Sequence, residues 1–371
     1  MRLNVPLTDN EELAAIADVL ESGFLTQGPK TAEFERLIAE RIGSVSAFGT
    51  SSATTGLHLA LDAIGVRPGD EVIVPDFSFP ATANAVIQQG ATPVFVDIDL
   101  GTFNLDPSLL EQAITPRTTA IMPVHAFGLT ADMTSISEIA ARHDIPVIED
   151  AACALGATHR GQEAGTLGLA GVFSFHPRKI ITTAEGGLIS TSDAKLAAKI
   201  AVLRSHGAVR GSHFMSFIDA GYNYRMSDVH AAIGIAQMKK LDFILERRRS
   251  LAAAYGDLLS GVDGVRSPVV PEGDLHSYQS YVVLLDADVD RDCVIDRMRA
   301  ADIETTLGTY SMHLQPYFRS RFGIDDRELP AATRAQRSAL TLPLYPQLEN
   351  EQLEVVVAAL RRAVDDSRMQ A

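Results

Sequence analysis

The sequence predicts an α/β fold built on a mostly parallel sheet, followed by a smaller α+β unit. Three observations carry this. Short β-branched runs alternate with helical patterns between residues 50 and 200, as in βαβ units. Those runs are apolar almost throughout, the signature of strands covered on both faces. After about residue 245 the alternation stops and the pattern changes.

Taken in order, "EVIVP" (71–75) reads as a strand and "ATANAVIQQG" (81–90) as the helix after it. "PVFVDI" (93–98) is the next strand, followed by the helical "PSLLEQAI" (107–114). "AIMPV" (120–124) precedes the helix "DMTSISEIAARH" (132–143), and "PVIED" (146–150) closes the series. Two more strands, "GVFSF" (171–175) and "GGLIST" (186–191), lead into a helix over 193–207. One long helical pattern then runs from about 227 to 261. Further on, "YQSYVVLLD" (278–286) alternates like a strand, and helices are expected over 290–303 and 350–366. The length of 371 residues suggests two domains. They are placed at 1–245, with the opening residues free to pack elsewhere, and at 246–371.

The chain carries 47 acidic and 32 basic side chains, a net charge of −15. That argues against general binding of nucleic acid, which needs clustered Lys and Arg. The run Arg247-Arg248-Arg249 sits in a helical pattern and reads as a solvated face. Cys153 and Cys293 lie too far apart in sequence to suggest a disulfide framework or a metal cluster. The opening "MRLNVPLTDNEE" does not read as a signal peptide, and no apolar run is long enough to span a bilayer. A soluble cytoplasmic protein without a membrane partner is expected.

In open α/β sheets ligands bind at the carboxyl ends of the strands. Polar residues gather there at Pro75 to Phe79, His125, Asp150, and Ser174 to Lys179. Of six lysines, only Lys179 comes directly off a core strand. Lys195 and Lys199 lie four apart on a polar helix face and Lys239-Lys240 follow another helical stretch, so all four read as solvated, and Lys30 sits in a loop. A desolvated amine beside other cations, here His176 and Arg178, can form a Schiff base; a surface lysine in a turn is the plain alternative. Asp150 is either a helix cap or a counter-ion for a buried cationic ring nitrogen. The hydroxyls of Ser51, Ser52, Thr54 and Thr55 open a helix and suit capping or phosphate. Phe79 is either a core aromatic or a ring that stacks on a flat cofactor. Taken together, these pieces meet the requirements of pyridoxal 5′-phosphate (PLP).

At this point the chain resembles a known family. Its motifs include "GFLTQGPKTAEFE" (23–35), "GDEVIVPDFSFPATANAV" (69–86), "GATPVFVDID" (90–99), "PVHAFG" (123–128) and "IEDAACALGA" (148–157). "SFHPRKIITTAEGG" (174–187), "LRSHG" (203–207), "GYNYRMSDVHAAIG" (221–234), "HLQPYF" (313–318) and "LPLYP" (342–346) continue them. The chain is similar over nearly its whole length to the DegT/DnrJ/EryC1/StrS family of PLP-dependent sugar aminotransferases. The resemblance implies the type I, aspartate aminotransferase-like fold.

It also implies roles. Lys179 would hold PLP covalently, Asp150 would pair with the pyridinium nitrogen, and Phe79 would stack on the ring. Ser174, Ala53 and Thr54 would take the phosphate, and His176 would line the substrate side. Cys153 would stand near the cofactor, where the family usually has Gln or His. Asn223 and Arg225 of the "GYNYRM" loop would reach a neighbouring subunit's phosphate and the donor carboxylate, so a homodimer with shared sites is expected. His313 would contact substrate. Two further departures are Ser52-Ala53-Thr54 in place of "SGT" and "YSM" before His313. The implied reaction moves an amino group from L-glutamate, through pyridoxamine phosphate, to a keto sugar on a nucleoside diphosphate, most simply a 4-keto-6-deoxy sugar. A 3-keto nucleotide sugar or a ketocyclitol such as scyllo-inosose is the alternative, and a non-catalytic regulatory protein a more distant one. Lys179 favours aminotransfer over dehydration, because dehydrating relatives carry His in its place.

Overall fold

The computed structural model describes residues 1–369. A four-stranded sheet runs in the order Ser46–Thr50, Gly187–Thr191, Ala170–Ser174, Ile148–Asp150. A three-stranded parallel sheet has Glu71–Pro75 between Thr92–Val96 and Thr118–Ile121. Parallel bridges Ile121–Val147 and Val124–Asp150 join the two edge to edge. Within this surface only Gly187–Thr191 runs antiparallel to its neighbours. The mostly parallel sheet read from the sequence is therefore present.

Alternate residues of each strand feed opposite layers, as a two-residue side-chain period requires. Val72 and Val74 pack with Leu57, Leu61, Val86 and Ile200 on one face. Ile73, Val96 and Ile121 pack with Leu110, Ile136 and Ala140 on the other. With both faces covered, strand centres are mostly apolar, and each such residue contributes about 1.5–3 kcal/mol on full burial; buried Glu149 and Ser190 are exceptions, each fully hydrogen-bonded. Other polar groups are displaced to the strand ends, and that is how the fold positions a site.

The later part of the chain holds a second sheet, ordered Val265–Arg266, Tyr281–Leu285, Ala339–Leu342, Thr306–Leu307. The alternation expected from the sequence of its strand Tyr281–Leu285 is not one of exposure, since all five residues are buried. Tyr281, Val283 and Leu285 face a core shared with the helices Leu241–Leu259, Arg291–Ala300 and Asn350–Arg368. Val282 and Leu284 face Phe77, Phe103 and Phe127 from the first sheet's loops. The helix Leu241–Leu259 belongs to both regions: Ile244 and Leu245 enter one core, Leu251 and Tyr255 the other.

Two expectations need correction. The helical pattern over 227–261 is two helices, Asp228–Met238 and Leu241–Leu259. They part at Lys239 and Lys240, and the Lys240 ammonium is not solvated, because it pairs with Asp9 and Glu12 at 2.8 Å each. Nor is the arginine run a solvated face. Arg248 is 1% exposed. It donates to the carbonyls of Tyr278, Gln279 and Leu344 and to Asn4 Oδ1. Arg249 reaches the carbonyls of His276 and Gly156, and Arg247 that of Pro346. The guanidiniums tie loops that the helix-period pattern alone does not reveal.

Candidate active site

Asp150 ends its strand 5% exposed, and burial pushes its carboxyl pKa up. Thr82 Oγ1 donates to its Oδ2 at 2.7 Å and the Ala152 amide to its Oδ1 at 3.2 Å. The charge of Lys179 favours its ionised form in addition. His125 is itself buried: Nδ1 accepts from the Ala131 amide at 3.1 Å, so its other nitrogen, Nε2, can donate to Glu149 Oε2 at 2.8 Å. Glu149 also accepts from the amides of Gly165, Leu167 and Gly168. A fully buried carboxylate is thus supplied with four donors and fixes the loop before the strand Ala170–Ser174.

That strand delivers Ser174, and the turn after it delivers His176 and Lys179. The turn is held by Lys179 N donating to the His176 carbonyl at 2.8 Å and Arg178 N to His176 Nδ1 at 3.2 Å. Burial lowers the His176 pKa, and the cations Lys179 and Arg178 lower it further, with Glu185 opposing. The amine of Lys179 turns inward and donates to Cys153 Sγ at 3.1 Å. Cys153 lies three residues past Asp150, and the Lys179 charge is near enough to act on the buried acid.

Register brings the helix Ala53–Ile64 to the same place. Ser174 pairs with Gly187, and Gly187 with Thr50. A Cβ on Gly187 would lie 2.4 Å from the Ser52 carbonyl carbon and 2.5 Å from Ala53 N. The helix start fits only because glycine leaves that space. Ser52 and Thr55 form a capping box, and Ser51 Oγ bonds Thr55 Oγ1 at 3.1 Å. These hydroxyls are consumed by capping, whereas that of Thr54 has no partner among the described residues. The amides of Ala53 and Thr54, first in the helix, have no carbonyl one turn earlier to bond. They leave a small anion cradle beside Ser174.

Phe79 is 65% exposed, unlike a core aromatic. Its carbonyl accepts from Thr82 N, which ties it to the residue that bonds Asp150. Asn223 is exposed and pairs through its backbone with Ser205, while the Arg225 guanidinium bonds Ser205 Oγ at 3.0 Å. The segment lies along the helix start, with Ser51 N donating to the Tyr224 carbonyl. His313 does not fit the expected substrate contact. It is buried, with Nδ1 on Asp76 Oδ2 at 2.6 Å and Nε2 on Thr333 Oγ1 at 3.1 Å, so both ring nitrogens are occupied. The sequence points to His125 at a strand end but not to its partner Glu149, nor to Thr82. A hydroxyl in the first turn after a polar strand end was the signal for Thr82.

The residues fit PLP on these observations: an amine whose charge acts on a buried acid, a glycine-made cradle with free amides, and an exposed ring. No group of three or more His, Cys, Asp or Glu suited to a metal exists among the described residues.

Comparison with known proteins agrees. The DegT/DnrJ/EryC1/StrS aminotransferase family model matches residues 6–361. GDP-perosamine synthase of Caulobacter vibrioides is 41% identical over 359 residues, covering 96% of each chain. The UDP-4-amino-4-deoxy-L-arabinose–oxoglutarate aminotransferase of Shewanella sediminis is 37% identical, covering 97% of each. Among solved structures, Spr1654 of Streptococcus pneumoniae, described as a sugar aminotransferase, superposes with a TM-score of 0.95 at 28% identity. That match covers 100% of this chain and 99% of the other, and the neighbour has been solved in PMP and PLP forms.

Proposed function

The chain belongs to the DegT/DnrJ/EryC1/StrS aminotransferase family, and from that premise we propose that it transfers the amino group of L-glutamate to a keto sugar on a nucleoside diphosphate. A 4-keto-6-deoxy sugar is the substrate class favoured here. One observation carries the reading: the Lys179 amine, the buried Asp150 carboxylate and the free amides of Ala53 and Thr54 converge at one end of the sheet. By their names, one of the two relatives makes GDP-perosamine and the other is an aminotransferase of UDP-4-amino-4-deoxy-L-arabinose and oxoglutarate.

When bound, PLP supplies an electron sink that stabilises negative charge on the donor's α-carbon. The chain's residues do the rest. Lys179 would anchor the cofactor, and its released Nζ would carry the proton between the donor's α-carbon and the cofactor, as general base and then acid. Asp150 keeps the ring nitrogen protonated. Ala53, Thr54 and Ser174 hold the phosphate, Phe79 covers the ring, and Cys153 stands beside the Lys179 amine. His176 lines the substrate side.

A homodimer with shared sites completes this reading. Asn223 and Arg225 serve the neighbouring subunit, Asn223 at the phosphate and Arg225 at the donor carboxylate. In support, the hairpin Ala208–Arg210/Met215–Phe217 exposes apolar side chains, with Phe214 84% and Phe217 68% exposed. Among the described residues no helix is long and apolar enough to cross a membrane, and we place the enzyme in the cytoplasm. The test is a visible spectrum with and without L-glutamate, then a panel of keto nucleotide sugars and scyllo-inosose read by mass spectrometry. Conversion of PLP to pyridoxamine phosphate and a product one amine richer are expected. An unchanged spectrum would overturn the reading.

A further inference from the structure

The helix Ala81–Gln88 starts at Pro80 with no side-chain cap. A hydroxyl in its first turn would ordinarily be spent locally. The Thr82 hydroxyl instead crosses to Asp150 Oδ2, and Ser78 Oγ lies 2.8 Å behind it. Both hydroxyls are buried, Thr82 at 1% and Ser78 at 3% exposure.

The direction of these bonds follows from counting protons. An ionised carboxylate only accepts, and a hydroxyl has one proton to give. Thr82 therefore donates to Asp150, and Ser78 donates to Thr82. Such a one-way chain strengthens each bond through its neighbour. Ser78 is held in turn by the pairing of Phe77–Ser78 with Tyr310–Ser311. The segment that presents Phe79 thus also fixes the carboxylate.

We propose that Thr82 is a positioning residue that, backed by Ser78, keeps Asp150 ionised and in one orientation for its role at the pyridine nitrogen of PLP. The proposal rests on the reading of Asp150 given above. The groups facing Asp150 are Lys179 from the turn after Ser174, His125 with its partner Glu149, and the Ala152 amide. Burial is the largest influence on the acid, and the Thr82 bond is the largest that opposes it.

The experiment replaces Thr82 with Val, which keeps size and removes the hydroxyl, and with Ser, which keeps the hydroxyl. Carboxyl carbon NMR of the PLP-free protein follows Asp150, and ¹⁵N NMR of labelled PLP follows the ring nitrogen in the loaded protein. In Thr82→Val, Asp150 is expected to titrate at higher pH than in wild type. PLP should bind on the order of tenfold more weakly, as for a lost hydrogen bond to a charged group, and its ring nitrogen should shift toward the neutral form. Thr82→Ser should restore all three. Wild-type titration and PLP affinity in Thr82→Val would overturn the proposal, as would equal losses in the Val and Ser variants. A wild-type ring-nitrogen signal in Asp150→Asn would overturn the role of Asp150 itself, so the two failures are told apart.

Discussion

Gly187 makes the phosphate cradle possible, and Gly187→Ala tests that directly. The added methyl would sit 2.4 Å from the Ser52 carbonyl carbon and 2.5 Å from both Ser52 O and Ala53 N. Ordinary carbon contacts need about 3.5–4 Å, so backbone must move by about 1 Å. No flexible side-chain end can yield there, because the three nearest atoms are all main chain. Overpacking of this kind costs about 1–3 kcal/mol. The displaced atoms begin the helix whose amides take the phosphate, so PLP affinity should also fall, on the order of tenfold or more, since about 1.4 kcal/mol is a factor of ten. Urea unfolding of the PLP-free protein reads the first effect, and titration with PLP the second. Gly256→Ala is the control: it lies within the helix Leu241–Leu259 with nothing within 4 Å of its Cβ position. There Ala should stabilise by about 0.5–1 kcal/mol and leave PLP binding alone. Wild-type stability and PLP affinity in Gly187→Ala would refute the packing argument. Lost stability with unchanged PLP affinity would refute the cradle.

Three other outcomes are expected. Arg248→Met strands three carbonyls and Asn4 Oδ1, so the urea midpoint should drop by the equivalent of about 3 kcal/mol or more, and Arg248→Lys should not restore it. Glu149→Ala leaves three amides and the His125 ring without an acceptor in a buried place, and a loss of about 3–5 kcal/mol in chemical denaturation is expected. The third concerns pH. Burial raises the Asp150 pKa above its ordinary value, so in the PLP-free protein its contribution to stability is present at low pH and lost as pH rises through the folded-state pKa. PLP-free Asp150→Asn should therefore be more stable than wild type at neutral pH. The gap should close as the pH falls, measured by urea titrations across a pH series.

Much of this architecture was legible because two-sided burial leaves a plain mark. "EVIVP" is apolar through its middle and "PVIED" ends in two acids, so polar residues at the ends of such runs stand out. Asp150 and Lys179 were found that way. What escaped depends on partners remote in sequence. Arg248 looks like a surface charge until the carbonyls of Tyr278 and Leu344 are brought to it. Thr82 bonds an acid 68 residues away. The break at Lys239–Lys240 carries no Gly or Pro, and Lys240 is met there by two acids of the N-terminal segment. His313 looks like a ligand contact in its motif, but Asp76 and Thr333 occupy both its nitrogens. The hydroxyl run at 51–55 held both readings at once: three of its members cap the helix and Thr54 is left over.

The claim at the centre is that Lys179 carries the cofactor. Borohydride reduction of the PLP-loaded protein, followed by proteolysis and mass spectrometry, reads it directly. A single phosphopyridoxyl mass addition on the peptide that contains Lys179 is predicted, abolished in Lys179→Arg. A label on any of the other five lysines, or an unlabelled Lys179 in protein that has bound PLP, would contradict the account.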